Sequence, residues 1–365
     1  MKLKSIYSIQ ISDRLAKPIY NDNGQRLLNS GIALSESMIS RLKEKGISYL
    51  YIEDDLTSDI YVTDVISEQT KAKSLKTISD NFTSISDRIK TGKSVNLHEL
   101  TPSFSNIIDS ILQEISGNEE AISMLANVVS FDSYVFHHSL NVTVYTIALG
   151  RKLGLNEKEL KDLGLGAILH DVGKMGIPVD ILNKTDKLTE EEYETIQNHA
   201  ELGFEMIRKS GDLSLLTAHC AFQHHERLDG SGYPRQLSSK DIHYYARIIG
   251  VADVYDAMTS NRVYRKAFLP HEALELLYSG ADILYDKKII EVFSKTIAIY
   301  PIGLEVTLSD GRQGIIINNN TELPSRPIIR VEFDGEGNGS YDIDLSEELN
   351  VTISSCDSLT QETKI

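Results

Sequence analysis

The sequence predicts a mainly α-helical protein with a small mixed α/β unit before the helical part and a small β module after it. Three observations support this fold class. Apolar residues recur at helical spacing from about residue 130 to residue 300. Short strands separated by turn residues follow Pro301, and the first 62 residues combine one helix with short strands. A length of 365 residues is enough for two or three domains.

The N-terminal unit is predicted to span residues 1–62. Its segment AKPIYNDNGQRLLNSG has the pattern of a β-hairpin, because the Asn23-Gly24 dipeptide favours the positive φ angles of a tight turn. Ser35 is a suitable N-cap for a helix that reaches Lys45, before Gly46 stops it. The apolar run ISYLYI then continues as a strand.

Residues 63–129 are predicted to form a helical connector. The pattern is polar and helical, with a break near Thr91-Gly92-Lys93. Two interpretations remain open at this point. The connector is either a surface for homodimerisation or a plain spacer.

Residues 130–300 are predicted to be helical throughout. Thr189 and Glu192 have the spacing of a capping box, so a helix should begin there. The predicted helices cover about 137–153, 157–170, 189–209, 212–225 and 246–259, with a further one from His271.

The C-terminal part, residues 301–355, is predicted to be a small β module. LEVTLSDGRQGIIIN, RPIIRVEF and SYDIDL each have strand character, and turn residues such as Asp-Gly lie within or between them. The polar residues 356–365 are expected to form a loose tail.

The composition limits the location and the partners. Apolar residues make up 41% and charged residues 25%, as in ordinary folded proteins. A net charge of −16 argues against sequence-blind binding to DNA, which requires a basic surface. No apolar run reaches the ~18 residues of a membrane helix, so no membrane insertion is expected. Cys220 and Cys356 make no disulfide framework, and a cytoplasmic protein is predicted.

Histidines concentrate in the helical region, where eight of the ten lie between His137 and His243. Several of them adjoin carboxylates on predicted helices or at helix ends. Imidazole and carboxylate together suit divalent first-row metals such as iron or manganese. A single histidine on a helix is more often a surface or satisfied core residue than a ligand. The set of interest is His138, His170, Asp171, His199, His224, His225 and Asp253.

Two adjacent pairs strengthen the metal hypothesis. His170-Asp171 ends the apolar run LGLGAIL, and a polar pair at the inner end of an apolar helix is costly unless something satisfies it. His224-His225 precedes a glycine-rich loop, which lets backbone approach a ligand closely. Both pairs therefore indicate a site.

The segments LHDVGKMGIP (169–178) and HHERLDGSGYP (224–234) resemble the two signatures of the HD-GYP family. That family is a branch of the HD-domain metal phosphohydrolases specialised for cyclic di-GMP. The resemblance covers about residues 130–300 and includes ARIIGVADVYDAMTSNRVYR after the second motif. It implies an all-helical HD-type domain with a metal centre and phosphodiesterase activity.

The resemblance also implies two metal ions that share Asp171. One ion would be held by His138, His170, Asp171 and Asp253. The other would be held by Asp171, His199, His224 and His225. A water between the ions, with a lowered pKa, would attack phosphorus in line. Asp171 and Lys174 are the implied catalytic residues.

Substrate contacts are implied for Lys174, Arg262 and Arg265, because such cations match phosphate oxygens. Each has a plainer alternative: Lys174 could stabilise a helix C-terminus, and either arginine could pair with a nearby carboxylate. Asp229, Gly232, Tyr233 and Pro234 would form a loop in the pocket wall.

The expected number of metals is two. Some family members hold a third ion through a glutamate one turn before the first ligand histidine, but here that position is Tyr134. A phenol with a reference pKa near 10 is a poor ligand at neutral pH. His137 should point about 100° away from His138 and is expected to be an outer residue.

The leading prediction is an enzyme that opens cyclic di-GMP to pGpG, with GMP as a further product. One alternative is another cyclic dinucleotide, such as cyclic GMP-AMP, because the motifs define metal and phosphate groups better than base pockets. The other is a receptor that binds the dinucleotide without turnover and signals through residues 1–129. A diguanylate cyclase or other signalling proteins would be natural partners.

Overall fold

The computed structural model describes residues 1–20, 25–45, 47–60, 62, 64–117, 134–184, 186–260, 267–320, 322–332 and 340–356. The predicted fold class is confirmed: helices dominate, short strands lie at the beginning, and a five-stranded sheet lies at the end. The predicted turn at Asn23-Gly24, the helix stop at Gly46 and residues 357–365 of the predicted tail lie outside the described residues. The first residue of that predicted tail, Cys356, is instead the last residue of a strand.

The N-terminal unit contains two short strand pairs and one helix. The Ser35 hydroxyl accepts a hydrogen bond from the Met38 N–H and so caps the helix as predicted. The first strand pairs with the fourth, and the second with the third, both antiparallel. The elements are β1 (Lys2–Ser5), β2 (Ile19–Tyr20), β3 (Arg26–Leu28), α1 (Glu36–Glu44) and β4 (Tyr49–Ile52).

The connector begins with two helices, α2 (Glu68–Lys90) and α3 (Thr101–Gly117), separated by a break at Thr91 as predicted. Their apolar faces are buried in the same core as the helices that follow. Phe82 of α2, for example, packs edge-on against Phe104 of α3. Much of the apolar surface of the connector therefore packs against other parts of the same chain. Its role in dimerisation stays a prediction.

The helical region is built around one buried helix, Tyr134–Lys152 (α4), which contacts α2, α3 and three of the helices that follow it. A 3-10 turn, Val172–Gly176, lies between the second and third helices of this region. The helices are α4 (Tyr134–Lys152), α5 (Glu157–Leu169), α6 (Val179–Leu182), α7 (Glu190–Gln197), α8 (His199–Ser210), α9 (Leu215–Gln223), α10 (Tyr244–Thr259), α11 (Pro270–Ser279) and α12 (Lys287–Ser294).

The single helix predicted for residues 189–209 is wrong, because the structure has two helices that meet at Asn198. The predicted capping box of Thr189 and Glu192 is present at the start of α7. At the junction, Nδ1 of His199 lies 2.6 Å from the Ile196 carbonyl oxygen. A side chain thus occupies a carbonyl that a continuous helix would use for a backbone hydrogen bond.

The C-terminal module is one antiparallel sheet of five strands. Strand pairing buries alternate residues, such as Ile329 opposite Ile343, as expected for a sheet with one covered face. Its strands are β5 (Glu305–Leu308), β6 (Gln313–Asn318), β7 (Ile328–Glu332), β8 (Ser340–Asp344) and β9 (Ile353–Cys356). Their order in the sheet is β8-β7-β6-β5-β9.

The N-terminal unit and the C-terminal module pack against each other. The Leu3 N–H donates to the Gly303 carbonyl at 2.8 Å, and Leu3 also forms a parallel bridge with Leu304. Leu3, Tyr49 and Leu304 lie in one apolar cluster. We refer to the described parts of residues 1–62 and 301–356 together as the terminal unit. Within the described residues, no helix has the length and apolar character needed to span a membrane.

Candidate metal centre

The predicted ligand residues come from five helices or helix ends and meet in one buried cluster. His138 lies in the first turns of α4, and His199 is the first residue of α8. The two adjacent pairs follow the ends of α5 and α9, and Asp253 lies within α10. All seven side chains are buried except that of His225, which is 17% exposed.

One part of the cluster surrounds His138 and His170. The Nε2 atom of His138 lies 3.0 Å from Asp253 Oδ1 and 3.6 Å from Asp171 Oδ2. The Nε2 atom of His170 lies 3.4 Å from Asp171 Oδ2 and 3.9 Å from Asp253 Oδ1. One ligand atom each from His138, His170 and Asp171 falls within 4.8 Å of the others.

The other part surrounds the second oxygen of Asp171. His199 Nε2 lies 3.3 Å and His224 Nε2 lies 3.8 Å from Asp171 Oδ1. One ligand atom each from Asp171, His199, His224 and His225 falls within 4.8 Å of the others. Asp171 therefore belongs to both groups and directs one oxygen to each.

Backbone carbonyls orient three of the imidazoles. A carbonyl oxygen can only accept a hydrogen bond, so the Nδ1 atom facing it carries the proton and Nε2 presents its lone pair to the cluster. This is the tautomer that a metal ion requires when Nε2 is the ligand atom. The pairs are His170 with Ala167 at 2.6 Å, His199 with Ile196 at 2.6 Å, and His224 with Ala221 at 2.9 Å.

Burial and neighbouring charges hold these groups in defined protonation states. Burial lowers the pKa of His199 to about 4, so its imidazole is neutral at physiological pH. Burial alone would raise the pKa of Asp171, but the Lys174 ammonium and the imidazoles of His170 and His199 outweigh it and hold that pKa well below its usual range. Burial alone would lower the pKa of His138, yet the carboxylates of Asp253 and Asp256 raise it to about 9.

Two buried ligand atoms make no hydrogen bond to the described residues: Nε2 of His170 and Oδ1 of Asp171. An unsatisfied buried polar atom is costly unless a ligand satisfies it. Neutral imidazoles and ionised carboxylates without thiolates are the donor set of a divalent first-row ion. The two groups that share Asp171 are consistent with a binuclear metal site.

Asp256 contacts His138 from the side opposite the cluster, and no role was predicted for it. Its Oδ2 lies 2.7 Å from His138 Nδ1, and its Oδ1 accepts a hydrogen bond from Asn141 Nδ2 at 3.0 Å. Asp256 is 1% exposed. The sequence feature that could have indicated a role for Asp256 is i, i+3 spacing. This spacing places Asp256 near Asp253 on α10 and Asn141 near His138 on α4.

The Gly-Tyr-Pro loop covers the most exposed ligand. The Tyr233 ring stacks on the His225 ring with centroids 4.6 Å apart. The loop can lie this close because a Cβ atom on Gly232 would be 2.4 Å from the His225 carbonyl oxygen. Glu226, which sequence reasoning also missed, anchors the loop: its buried carboxylate accepts hydrogen bonds from the N–H groups of Arg235 and Leu237 at 2.8 and 2.9 Å.

The predicted substrate residues are only partly described. Lys174 Nζ lies 2.6 Å from Asp171 Oδ2 at the edge of the cluster. Asp229 is exposed and accepts hydrogen bonds from Ser231 within the loop, and Pro234 is half-buried. Arg262, Arg265 and the side chain of Tyr134 lie outside the described residues.

The expectation that His137 is an outer residue is wrong, since its side chain is only 8% exposed. The reason is the position of α4, which is surrounded by other helices and buries nearly every residue from His137 to Gly150. A residue that points away from the cluster on this helix still points into the protein.

Comparison with known proteins agrees with this geometry. The family profile described as "HD domain" matches residues 102–289, more than half of the chain. The chain belongs to the HD-domain family. A second profile, "KOW domain associated with HD domain", matches residues 305–364. The resemblance inferred from the two motifs is thereby confirmed for this HD-domain protein.

Several curated relatives have names that state an activity. The HD-domain protein is 35% identical over 231 residues to a cyclic di-GMP phosphodiesterase of Pseudomonas aeruginosa, with 63% of this chain and 55% of the relative covered. It is 39% identical over 165 residues to 3'3'-cGAMP-specific phosphodiesterase 1 of Vibrio cholerae, with 44% and 38% covered. The chain spans about half the length, or less, of the curated relatives it matches.

A solved structure shares the fold of this HD-domain protein. The HDG"Y"P protein Bd1817 of Bdellovibrio bacteriovorus superposes with a TM-score of 0.50 at 20% identity, and 80% of this chain and 97% of that chain are covered. At this identity the likeness concerns the fold alone.

Proposed function

We propose that the protein is a metal-dependent phosphodiesterase that hydrolyses cyclic di-GMP to pGpG and, in a second step, to GMP. The observation that carries the proposal is the position of Asp171, whose two oxygens face two separate groups of buried imidazoles. A carboxylate shared in this way suits two ions a few ångströms apart, which is the arrangement of many enzymes that cleave phosphodiesters. The relatives named as cyclic di-GMP phosphodiesterases support the choice of substrate.

Each ion would have its own set of ligands. One ion would be held by His138, His170, Asp171 and Asp253, and the other by Asp171, His199, His224 and His225. When bound, a pair of divalent iron or manganese ions supplies Lewis acidity at the phosphoryl oxygens and a water with a lowered pKa. The neutral state of His199 and the ionised state of Asp171 suit this task, because both ligands are ready to bind a cation.

Lys174, Arg262 and Arg265 would hold the phosphodiester groups. Lys174 supports this role by its place beside Asp171, with a side chain that is 17% exposed. A cation there can reach a phosphate oxygen while it remains close to the metal centre. Asp229, Gly232, Tyr233 and Pro234 would form one wall of the pocket, with Tyr233 against His225.

The second candidate substrate is 3'3'-cGAMP. Relatives in Vibrio cholerae that are 34% and 39% identical to this chain bear the name 3'3'-cGAMP-specific phosphodiesterase. The metal and phosphate contacts would be the same for both dinucleotides. A panel of cyclic dinucleotides, with the products separated by chromatography, distinguishes the two substrates.

A receptor that binds the dinucleotide without turnover is the alternative outside the enzymes. The full set of ligand side chains favours catalysis, because a pure binding module has no need for a shared aspartate and five buried or nearly buried histidines. Tight binding of cyclic di-GMP with both ions present and no product after long incubation would support the receptor. The cytoplasmic location, the homodimer and the cyclase or signalling partners stay predictions.

Asp171→Ala tests the shared ligand. The variant should lose hydrolysis and retain less of both metals, whereas His199→Ala should chiefly weaken one of them. Asp180→Ala, the same change at an exposed residue of α6, is the control and should behave as the wild type. Normal turnover with both metals bound in Asp171→Ala would contradict the shared site.

The number and type of bound metal ions can be measured directly. Elemental analysis and anomalous scattering above and below the iron and manganese edges should find two ions per chain. Tyr134 takes the place of the glutamate that would hold a third ion, and a phenol, with a reference pKa near 10, is a poor metal ligand. Three well-occupied sites in the cluster would refute the proposal of a pair.

The phosphate contacts have their own test. Lys174→Ala, Arg262→Ala and Arg265→Ala should each weaken binding or turnover of cyclic di-GMP about ten- to a hundredfold, the range for a charge-assisted hydrogen bond. Metal content should stay that of the wild type. Unchanged kinetics in all three variants would contradict the proposed phosphate contacts.

A further inference from the structure

The imidazoles of the metal centre are supported in two different ways. His170, His199 and His224 direct Nδ1 at backbone carbonyls. His138 directs Nδ1 at the carboxylate of Asp256, at 2.7 Å. A carboxylate behind a ligand histidine increases the electron density at the opposite nitrogen and fixes the orientation of the ring, which strengthens metal binding.

Asp256 is itself held in a surrounding that only a carboxylate satisfies. Its Oδ2 faces His138 Nδ1 and the Ser260 hydroxyl, at 2.7 and 3.4 Å, and its Oδ1 accepts from Asn141 Nδ2 at 3.0 Å. These groups all act as donors when His138 binds a metal through Nε2. An asparagine at position 256 would place its NH2 group against one of these donors.

The buried position of Asp256 restricts its influence to the His138 side of the proposed metal centre. Asp256 is 1% exposed and lies behind His138, so it cannot contact a substrate in the cleft. Among the described residues of the cluster, Asp256 contacts the imidazole of His138 and not those of the other group. The effect of the carboxylate should therefore be concentrated on the ion that His138 holds.

We infer that Asp256 is a positioning residue that strengthens metal binding on the His138 side and leaves the side of His199 and His224 largely unaffected. The two metal positions then differ in the support of their ligands, although they share Asp171. This inference rests on the proposed metal pair but does not depend on the identity of the substrate.

The test is a double-mutant cycle on the full chain, with Mn²⁺ alone as the probe and a chelating dye as the competitor. His199→Ala leaves the His138 side as the stronger position. In that background Asp256→Asn should weaken the remaining affinity for Mn²⁺ about 10- to 100-fold, the range for a lost partner of a ligand histidine. In the background of His138→Ala, Asp256→Asn should change the remaining affinity less than about twofold, because the histidine it supports is absent.

A purely structural role predicts a different result. If Asp256 only maintained the fold, Asp256→Asn would weaken Mn²⁺ binding to a similar extent in both backgrounds, and that outcome overturns the inference. Equal affinity with and without the substitution in the His199→Ala background overturns it as well. Absence of Mn²⁺ binding in the wild type would instead refute the proposed metal pair, so the two failures are distinguishable.

Two further variants keep the test decisive. Asp109→Asn makes the same change at an exposed residue of α3 that pairs with Lys161, and it should leave both affinities unchanged. If Asp256→Asn does not fold, Asn141→Ala retains the carboxylate but removes one of its donors. We then expect a loss of about two- to tenfold on the His138 side alone, as for one neutral hydrogen bond. No loss, or an equal loss on both sides, would overturn the inference.

Discussion

The helical region and the terminal unit place their charged groups in opposite ways. In the helical region, Asp171, Asp253 and Asp256 are buried together with the histidines they contact. In the terminal unit, Arg330 pairs with Asp59 and Asp342, two carboxylates whose side chains are 62% and 44% exposed. The interior of the terminal unit is instead apolar, with Leu3 and Leu304 fully buried.

This difference distinguishes buried groups that stabilise the fold from buried groups that need another explanation. Burying ionised groups costs free energy, and even a well-formed buried pair often stabilises a protein no better than apolar residues would. The cluster around Asp171 is therefore better explained by metal binding than by folding. The terminal unit bears no comparable cluster among its described residues, and its apolar packing indicates a structural role.

The largest effect is expected from Gly173→Ala, which should disrupt the helical region. A Cβ atom at this position would lie 2.0 Å from the His199 carbonyl oxygen and 2.6 Å from the Gly203 nitrogen, and neither backbone atom can yield without moving α8. We expect a loss of more than about 3 kcal/mol of unfolding free energy, together with lower metal content. Denaturant unfolding and elemental analysis measure both quantities.

Gly176→Ala is the matched control in the same 3-10 turn. Its Cβ atom would meet only the ends of side chains, the nearest being Leu202 Cδ1 at 3.3 Å. If the two variants differed by less than about 1 kcal/mol, the close approach of Gly173 to α8 would not be needed for the metal centre.

A smaller and more local effect is expected from Leu304→Ala. Removing this buried side chain leaves a cavity in the terminal unit and should cost about 2–5 kcal/mol of its local stability. Metal content should stay normal, because Leu304 lies in a separate apolar cluster from the helical core. Hydrogen exchange of β1 and β5 detects the first effect, and elemental analysis checks the second.

Leu349→Ala serves as the control, since this leucine is 68% exposed and should change stability by less than about 0.5 kcal/mol. Loss of metal in Leu304→Ala would show that the two regions are coupled and would contradict a purely structural role of the terminal unit.

The smallest effect is expected from Arg330→Ala, which removes an ion pair with Asp59, linking the two parts of the terminal unit, and one with Asp342 within the C-terminal sheet. Its partners are exposed to solvent, so the attraction is weak and screened by salt. Thermal unfolding should shift slightly at low ionic strength, and the shift should vanish near 1 M salt. Lys287→Ala, at a pair within α12 in which both side chains are exposed, is the control. A large shift that persists in high salt would show that Arg330 is more than a surface ion-pair partner.

The sequence predicted those features that depend on neighbouring residues. The Ser35 cap, the capping box of Thr189 and Glu192, and the strands of the C-terminal module follow from local chemistry and were confirmed. Four of the seven predicted ligand residues lie in two compact motifs, and the structure brings all seven side chains together.

Features that depend on distant contacts were not predicted. His138 and Asp256 are 118 residues apart, and no local pattern indicates that their side chains meet. The burial of His137 depends on helices that surround α4 from several parts of the chain. The break at Asn198 coincides with the contact between His199 Nδ1 and the Ile196 carbonyl oxygen, which helix propensity alone does not indicate.

The contact between Leu3 and Leu304 has a consequence for biosynthesis. Strand β1 can pair with β4 as soon as residue 52 has emerged, but the residues that cover Leu3 lie about 300 positions later. At about 5–20 residues per second, the ribosome needs roughly 15–60 s to deliver them. During that interval the apolar side of β1 and β4 is open to solvent, so completion of the terminal unit should be among the last events in the maturation of a newly made chain.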